Sequence, residues 1–257
     1  MNRIARAFEG KKAFIPFITA GDPSPEITEK LIYALEKAGA DLIEIGVPFS
    51  DPVAEGPVIE AANARALSAG FTTDTLFELM LRIRKNTQIP IVFLTYLNPV
   101  FTYGAESFMR QTAECGVDAL IVPDMPPEEN DELAPLCAKY GVITIPLVAP
   151  TSGKRIKSIA AGAQGFVYCV SSMGVTGMRE KLTADIRETV SAVKSVKEIP
   201  CAVGFGITTP EQAREMAAVA DGVIVGSAIV NIIAQHGENC VKPVAEYAEA
   251  MKRAING

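Results

Sequence analysis

The chain has 257 residues, 49% of them hydrophobic and 21% charged, with a formal net charge of −6. That composition supplies a sizeable core and excludes a disordered chain, while the acidic balance, with no basic run, excludes a nucleic-acid surface. The longest apolar runs, such as Val142 to Ala149, are too short to cross a bilayer, so no membrane association is expected.

The first ten residues, Met1 to Gly10, read as a short amphipathic helix and not as a secretory leader. Eight short apolar segments then recur in chain order: Ala13–Thr19, Asp41–Val47, Pro90–Thr95, Val117–Val122, Val142–Val148, Gly165–Val170, Pro200–Gly204 and Asp221–Val225. Between them lie amphipathic runs such as Glu26–Ala38, Thr73–Lys85, Ala105–Glu114, Pro127–Lys139 and Pro210–Val219. Several runs end in one idiom, as in Ala38-Gly39-Ala40-Asp41 and Cys115-Gly116-Val117-Asp118. A glycine just past a helix permits the left-handed turn that starts the next strand. Continuous β-branched runs indicate strands covered on both faces, hence parallel.

Strict β-α repetition with no linker-like stretch predicts an α/β fold: a single closed (β/α)8 TIM barrel spanning 1–257 as one domain. A short N-terminal helix precedes it, and an extra short helix follows the eighth strand. An open doubly wound sheet is the alternative, but it would place a Gly-rich turn where Thr19-Ala20-Gly21-Asp22-Pro23 stands. Gly204-Phe205-Gly206-Ile207-Thr208-Thr209 lacks the third glycine of a dinucleotide fingerprint and lies late in the chain.

The five cysteines (Cys115, Cys137, Cys169, Cys201, Cys240) are scattered, without CxxC spacing, and read as reduced, buried thiols of a cytoplasmic protein. His236 is the only histidine, so a zinc site or a His-dependent triad has little to be built from, and no metal is expected.

Residues at the carboxyl ends of barrel strands face one mouth, where active sites lie. Those ends hold Phe17 and Thr19, Glu44, Thr95 and Tyr96, Asp124, Pro146, Tyr168 and Val170, Gly204 to Gly206, and Gly226-Ser227. No lysine ends a strand to serve as a Schiff-base nucleophile. Glu44 stands inside an otherwise apolar strand, just before a loop holding Asp51 and Glu55. Low-dielectric surroundings raise a carboxyl's pKa and suit it to proton transfer near neutral pH. The competing reading pairs Glu44 with a Lys or Arg across the barrel. Late in the chain, Gly174-Val175-Thr176-Gly177, Gly204-Phe205-Gly206 and Gly226-Ser227 form glycine turns. A helix starting at Gly226-Ser227 would offer free N–H groups to an anion, and barrel phosphate sites occur after strands seven and eight. A small phosphorylated substrate follows, although each glycine alone would also serve a plain tight turn.

Over nearly its whole length the chain resembles the α subunits of tryptophan synthase. The resemblance rests on Leu42-Ile43-Glu44-Ile45-Gly46-Val47-Pro48-Phe49-Ser50-Asp51-Pro52, Pro16-Phe17-Ile18-Thr19-Ala20-Gly21-Asp22-Pro23, Gly174-Val175-Thr176-Gly177 and Gly204-Phe205-Gly206-Ile207. It implies retro-aldol cleavage of indole-3-glycerol phosphate to indole and glyceraldehyde 3-phosphate, with no cofactor in this subunit. It also implies an α2β2 complex in which indole passes to a pyridoxal-phosphate (PLP) β subunit. By resemblance Glu44 is the acid-base group and Glu55 the anion that meets the ring N–H. Phe17, Tyr96 and Tyr168 match pocket positions, and Gly177, Gly206, Gly226 and Ser227 match the phosphate cradle. Thr176 matches a residue that orients the catalytic acid. Asp124 matches the acid that couples loop closure to the partner, and with Asp51 lies in loops expected on the β-subunit face.

Two departures stand out. Glu55 occupies a position that is aspartate in the family, and Ser172-Met173 stands where an arginine often precedes Gly-Val-Thr-Gly. Three alternatives stay open at this stage. The chain is a weakly active subunit that binds and activates a β chain, another phosphate-binding barrel isomerase or lyase, or a lyase that works without a partner.

Overall fold

A computed structural model describes residues 3–126, 130–170, 179–204 and 206–257. The strands are β1 (Ala13–Thr19), β2 (Ile43–Gly46), β3 (Ile91–Leu94), β4 (Ala119–Ile121), β5 (Ile143–Thr144), β6 (Leu147–Val148), β7 (Val167–Val170), β8 (Cys201–Gly204) and β9 (Gly222–Val225). Every pairing is parallel, in the order β5-β4-β3-β2-β1-β9-β8-β7-β6. The sheet begins and ends on one segment, because β5 and β6 are the halves of the expected strand Val142–Val148. Pro146 has no N–H for the ladder, which splits the strand there. The ring still closes through the break, since Ile145 N–H donates to Leu120 O (2.8 Å) and Pro146 O accepts from Tyr168 N–H (2.9 Å). Eight strand positions in a closed parallel ring make the expected TIM barrel.

The helices are α1 (Arg3–Ala7), α2 (Pro25–Lys37), α3 (Pro57–Ser68), α4 (Thr73–Ile83), α5 (Leu97–Tyr103), α6 (Ala105–Glu114), α7 (Ala134–Tyr140), α8 (Arg155–Gly162), α9 (Arg179–Lys194), α10 (Pro210–Ala217), α11 (Ser227–His236) and α12 (Val241–Asn256). Ser24, Thr72 and Thr209 cap α2, α4 and α10, each accepting a backbone N–H with its side-chain oxygen. The run expected to be helical from Pro127 to Lys139 becomes α7 only at Ala134. Pro135 fits only the first turn of a helix and so sets its start; residues 127–129 lie outside the described residues. No described helix is long and apolar enough to cross a membrane. The five cysteines are buried and unpaired by disulfides.

Successive strand side chains point to opposite faces, which sorts the core into two layers. Phe14, Ile18, Ile43, Ile45, Phe93 and Leu120 pack outward against the helices. Ile15, Phe17, Val92, Leu94, Ile121, Tyr168 and Ile224 fill the barrel. At the amino end of the strands, three aspartates repeat one device. Asp41, Asp118 and Asp221 each accept the backbone N–H of the preceding strand in the ring, from Phe14, Ile91 and Cys201 respectively. Each also pairs with two cations: Lys11 and Lys252, Arg3 and Arg84, Lys12 and Lys194. This end of the barrel is stapled, which leaves the loops at the other end to carry the chemistry.

Candidate active site

Glu44 lies between Ile43 and Ile45, both of which face the outer layer, so its carboxyl points into the barrel beside Phe17 of β1 and Val92 of β3. It is 1% exposed, and its Oε2 is buried without a hydrogen-bond partner. None of the ion pairs among the described residues includes it, so the reading of Glu44 as one half of a structural pair finds no partner among them. Burial, reinforced by the negative charge of Glu55, pushes its pKa up to about 8. A carboxyl left in that state is protonated at neutral pH and has a proton to give. Thr19 Oγ1, on the neighbouring strand, is likewise buried without a partner.

The loop after β2 crosses the mouth. Asp51 and Val53 are exposed at its tip, and Ser50 Oγ contacts the Asp51 carboxylate. Glu55 turns back inward, where Asn63 Nδ2 donates to its Oε2 at 2.8 Å. Burial raises the Glu55 pKa to about 7 against the opposing pull of Asn63. Below the loop, Tyr96 is 1% exposed; its Oη accepts the Ala54 N–H at 3.2 Å, and its ring packs on Phe49 at 5.5 Å between centroids.

A cavity of about 230 Å³ opens beside Glu44. Of the residues singled out in the sequence, Phe17, Glu44, Glu55, Tyr168, Gly206, Gly226 and Ser227 line it, together with Ile59, Leu94, Ile207 and Ile224. Tyr96 does not line it; that side chain is committed to holding the loop. Asp51 and Asp124 also lie off it. The Asp124 carboxylate accepts the Leu97 N–H (3.1 and 3.2 Å) at the start of α5 and borders a separate cleft beside β4. Thr176 and Gly177 lie outside the described residues, as do Ser172 and Met173.

Two glycines shape the cavity wall in a way the sequence reading missed. A Cβ on Gly204 would fall 2.2 Å from Tyr168 Oη, and one on Gly46 would fall 2.6 Å from Phe17 Cζ. Neither position tolerates a side chain unless a ring moves, so these glycines make room for rings and do not cradle an anion. Gly206 does take the left-handed conformation, at φ +71°, on the cavity rim. Gly226 precedes the first turn of α11, whose N-terminal end opens into the cavity at Ser227. Free N–H groups and the helix dipole favour an anion there. Asn63 was also missed, although an amide inside the buried stripe Ala62, Asn63 and Ala66 is a detectable signal.

An apolar cavity thus carries a protonated carboxyl, a second carboxyl group and a helix N-terminus. The family model described as "Tryptophan synthase alpha chain" matches residues 4–256. The tryptophan synthase alpha chain of Lacticaseibacillus casei is 48% identical over 256 residues, covering 100% of this chain and 96% of that one. The crystal structure of tryptophan synthase subunit alpha from Legionella pneumophila str. Paris superposes with a TM-score of 0.90 at 38% identity, covering 99% of this chain and 98% of that one. A chain of the tryptophan synthase α2β2 complex from Pyrococcus furiosus gives 0.87 at 34% identity, covering 95% and 99%. With a matching fold and sequence likeness over nearly its full length, this chain belongs to the tryptophan synthase alpha chain family.

Proposed function

We propose that Glu44 and Glu55 are the working carboxyls of this chain's reaction, the cleavage of indole-3-glycerol phosphate to indole and glyceraldehyde 3-phosphate. Breaking a carbon–carbon bond needs an electron sink, and indole supplies its own once C3 is protonated. Protonated Glu44 donates to C3, giving an indoleninium. Its carboxylate then takes the proton of the hydroxyl on the adjacent side-chain carbon. That oxygen becomes the aldehyde, the C3–carbon bond breaks, and its electrons return to the ring. Glu44 ends protonated, ready for the next cycle. Ionised Glu55 accepts the ring N–H and stabilises the cation. Phe17 and Tyr168 enclose the indole, and the phosphate sits on the N–H groups at Gly206, Gly226 and Ser227, joined by Gly177. Thr176 orients the catalytic acid.

The single observation that carries this reading is the unpaired, buried Glu44 facing the cavity that also holds Glu55 and the start of α11. The complex from Pyrococcus furiosus supports a β chain as partner in an α2β2 assembly. In that assembly PLP chemistry belongs to the β chain, and Asp51 and Asp124 tie the mouth loops to it, while buried Tyr96 holds the loop after β2 from within. One barrel domain spans 1–257, consistent with a sheet that joins residues 13 to 225 in one ring. A cytoplasmic setting fits the five free, buried thiols.

Indole release by wild type, Glu44→Gln and Glu55→Asp, with and without a cognate β chain, tests the reading. Glu44→Gln is expected to lower turnover by ~100-fold to ~10,000-fold, the range for a lost general acid-base group. Wild-type turnover by Glu44→Gln, or no indole from wild type with its partner present, overturns it.

A further inference from the structure

Glu55 ends a loop whose outer part is open to solvent, with Val53 79% exposed, and its side chain has one more rotatable bond than an aspartate. A carboxylate on such a support loses orientation unless something holds it. The structure provides the hold on α3. Asn63 is 2% exposed, and its Nδ2 meets Glu55 Oε2 at 2.8 Å. A buried amide inside a helix is a poor helix former and costs free energy unless bonded; here its partner is the site carboxylate. Two residues on, Arg65 Nε and Nη2 reach Asp22 Oδ1 and Oδ2 at 2.8 and 2.7 Å, and Asp22 is buried in the turn after β1. A bidentate pair fixes angle as well as distance, so α3 cannot roll without breaking it. A continuous set of contacts therefore runs from the end of β1 through Asp22, Arg65 and the α3 backbone to Asn63 and Glu55.

We infer that Asn63 is a positioning residue for the reaction: its amide holds one oxygen of Glu55 and leaves the other aimed at the substrate's ring N–H. This rests on the reading of Glu55 given above. The groups that face Glu55 are Glu44 from β2, Glu60 and Asn63 from α3, and Tyr96 from the end of β3. Burial, the largest influence, and Glu60 oppose the carboxylate, whereas the Asn63 hydrogen bond and the nearby Tyr96 hydroxyl favour it.

The test measures kcat/KM against pH for the full chain with its cognate β chain, using Asn63→Leu and Asn63→Asp in wild-type and Glu55→Gln backgrounds. Asn63→Leu is expected to lower kcat/KM by ~10-fold to ~100-fold and to move the ascending limb to higher pH. Asn63→Asp, of unchanged size, moves that limb further, because a second carboxyl then faces Glu55; it carries the test if Asn63→Leu fails to fold. In the Glu55→Gln background Asn63→Leu changes kcat/KM by less than about twofold, since coupled residues are not additive. The same loss in both backgrounds, or an ascending limb that moves in neither variant, overturns the inference. A Glu55→Gln chain with wild-type kcat/KM overturns the reading of Glu55 itself, and this role for Asn63 with it.

Discussion

Two carboxyls in one cavity differ in state because their surroundings differ. Glu44 is wholly enclosed with an unpartnered oxygen, whereas Glu55 has an amide to share its charge. With Glu44 titrating at about 8 and Glu55 at about 7, the active form needs the first protonated and the second ionised. A bell-shaped kcat/KM profile is expected, its ascending limb from Glu55 and its descending limb from Glu44. Because the Glu55 charge raises the Glu44 pKa, Glu55→Gln should shift the descending limb to lower pH; a limb that stays in place counts against the coupling. The same burial carries a stability cost with a definite sign. The folded chain holds a proton on Glu44 up to about pH 8, whereas the unfolded chain releases it near 4.5. The folded state thus binds more protons across that window, and stability falls as pH rises through it. Glu44→Gln should match wild type near pH 4.5 and exceed it by a few kcal/mol at pH 9, read from denaturant unfolding at both pH values.

At the scale of elements, the site is made where strand ends meet helix starts. Gly204 at the end of β8 lets the hydroxyl end of Tyr168 of β7 approach the strand closely. Gly204→Ala should force that ring off its place, costing ~1–3 kcal/mol as overpacking does and raising KM through the altered cavity; unchanged unfolding and unchanged KM would reject this account. The N-terminus of α11 is the element at the cavity whose dipole favours an anion. Ser227→Asp should raise KM for the phosphorylated substrate by about tenfold or more, through like-charge repulsion at short range, while leaving helix stability little changed, because an acid is favourable in a first turn. A KM that stays at the wild-type value would place the phosphate elsewhere. Helices α2, α4 and α10 were legible in the sequence as the amphipathic runs Glu26–Ala38, Thr73–Lys85 and Pro210–Val219, and Ser24, Thr72 and Thr209 cap them within their own turns. The split of the fifth strand was legible only in part, since Pro146 marked the break but the pairing on either side depends on residues far along the chain.

For the whole molecule, the barrel divides stability and function between its two ends. Asp41, Asp118 and Asp221 staple strand starts, and Glu44 and Glu55 at the other end line the cavity. Asp118→Asn still accepts the Ile91 N–H but gives up its charge to Arg3 and Arg84, of which Arg84 is well buried. Arg84 keeps the Gly116 and Ile89 carbonyls as acceptors, so a loss of ~1–3 kcal/mol is expected, with kcat of the remaining folded chain unchanged. A large fall in kcat without loss of stability would contradict this division.

Strand and helix order, the parallel ring, the unpaired cysteines and the place of Glu44 as a lone acid inside an apolar strand were all written in local pattern. Periodicity, caps and a single acid in an apolar run are properties of neighbours in the chain, and neighbours are what a sequence lists. Only the tertiary structure decided that Glu44 meets no cation among the described residues, because its strand neighbours place it against apolar side chains. It alone showed that Gly46 and Gly204 clear space for Phe17 and Tyr168, and that Tyr96 holds the loop instead of lining the cavity. It alone brought Asn63 to Glu55 across the start of α3. Charge state and clearance depend on distances between residues that the fold brings together, and those distances exist only once the ring has closed.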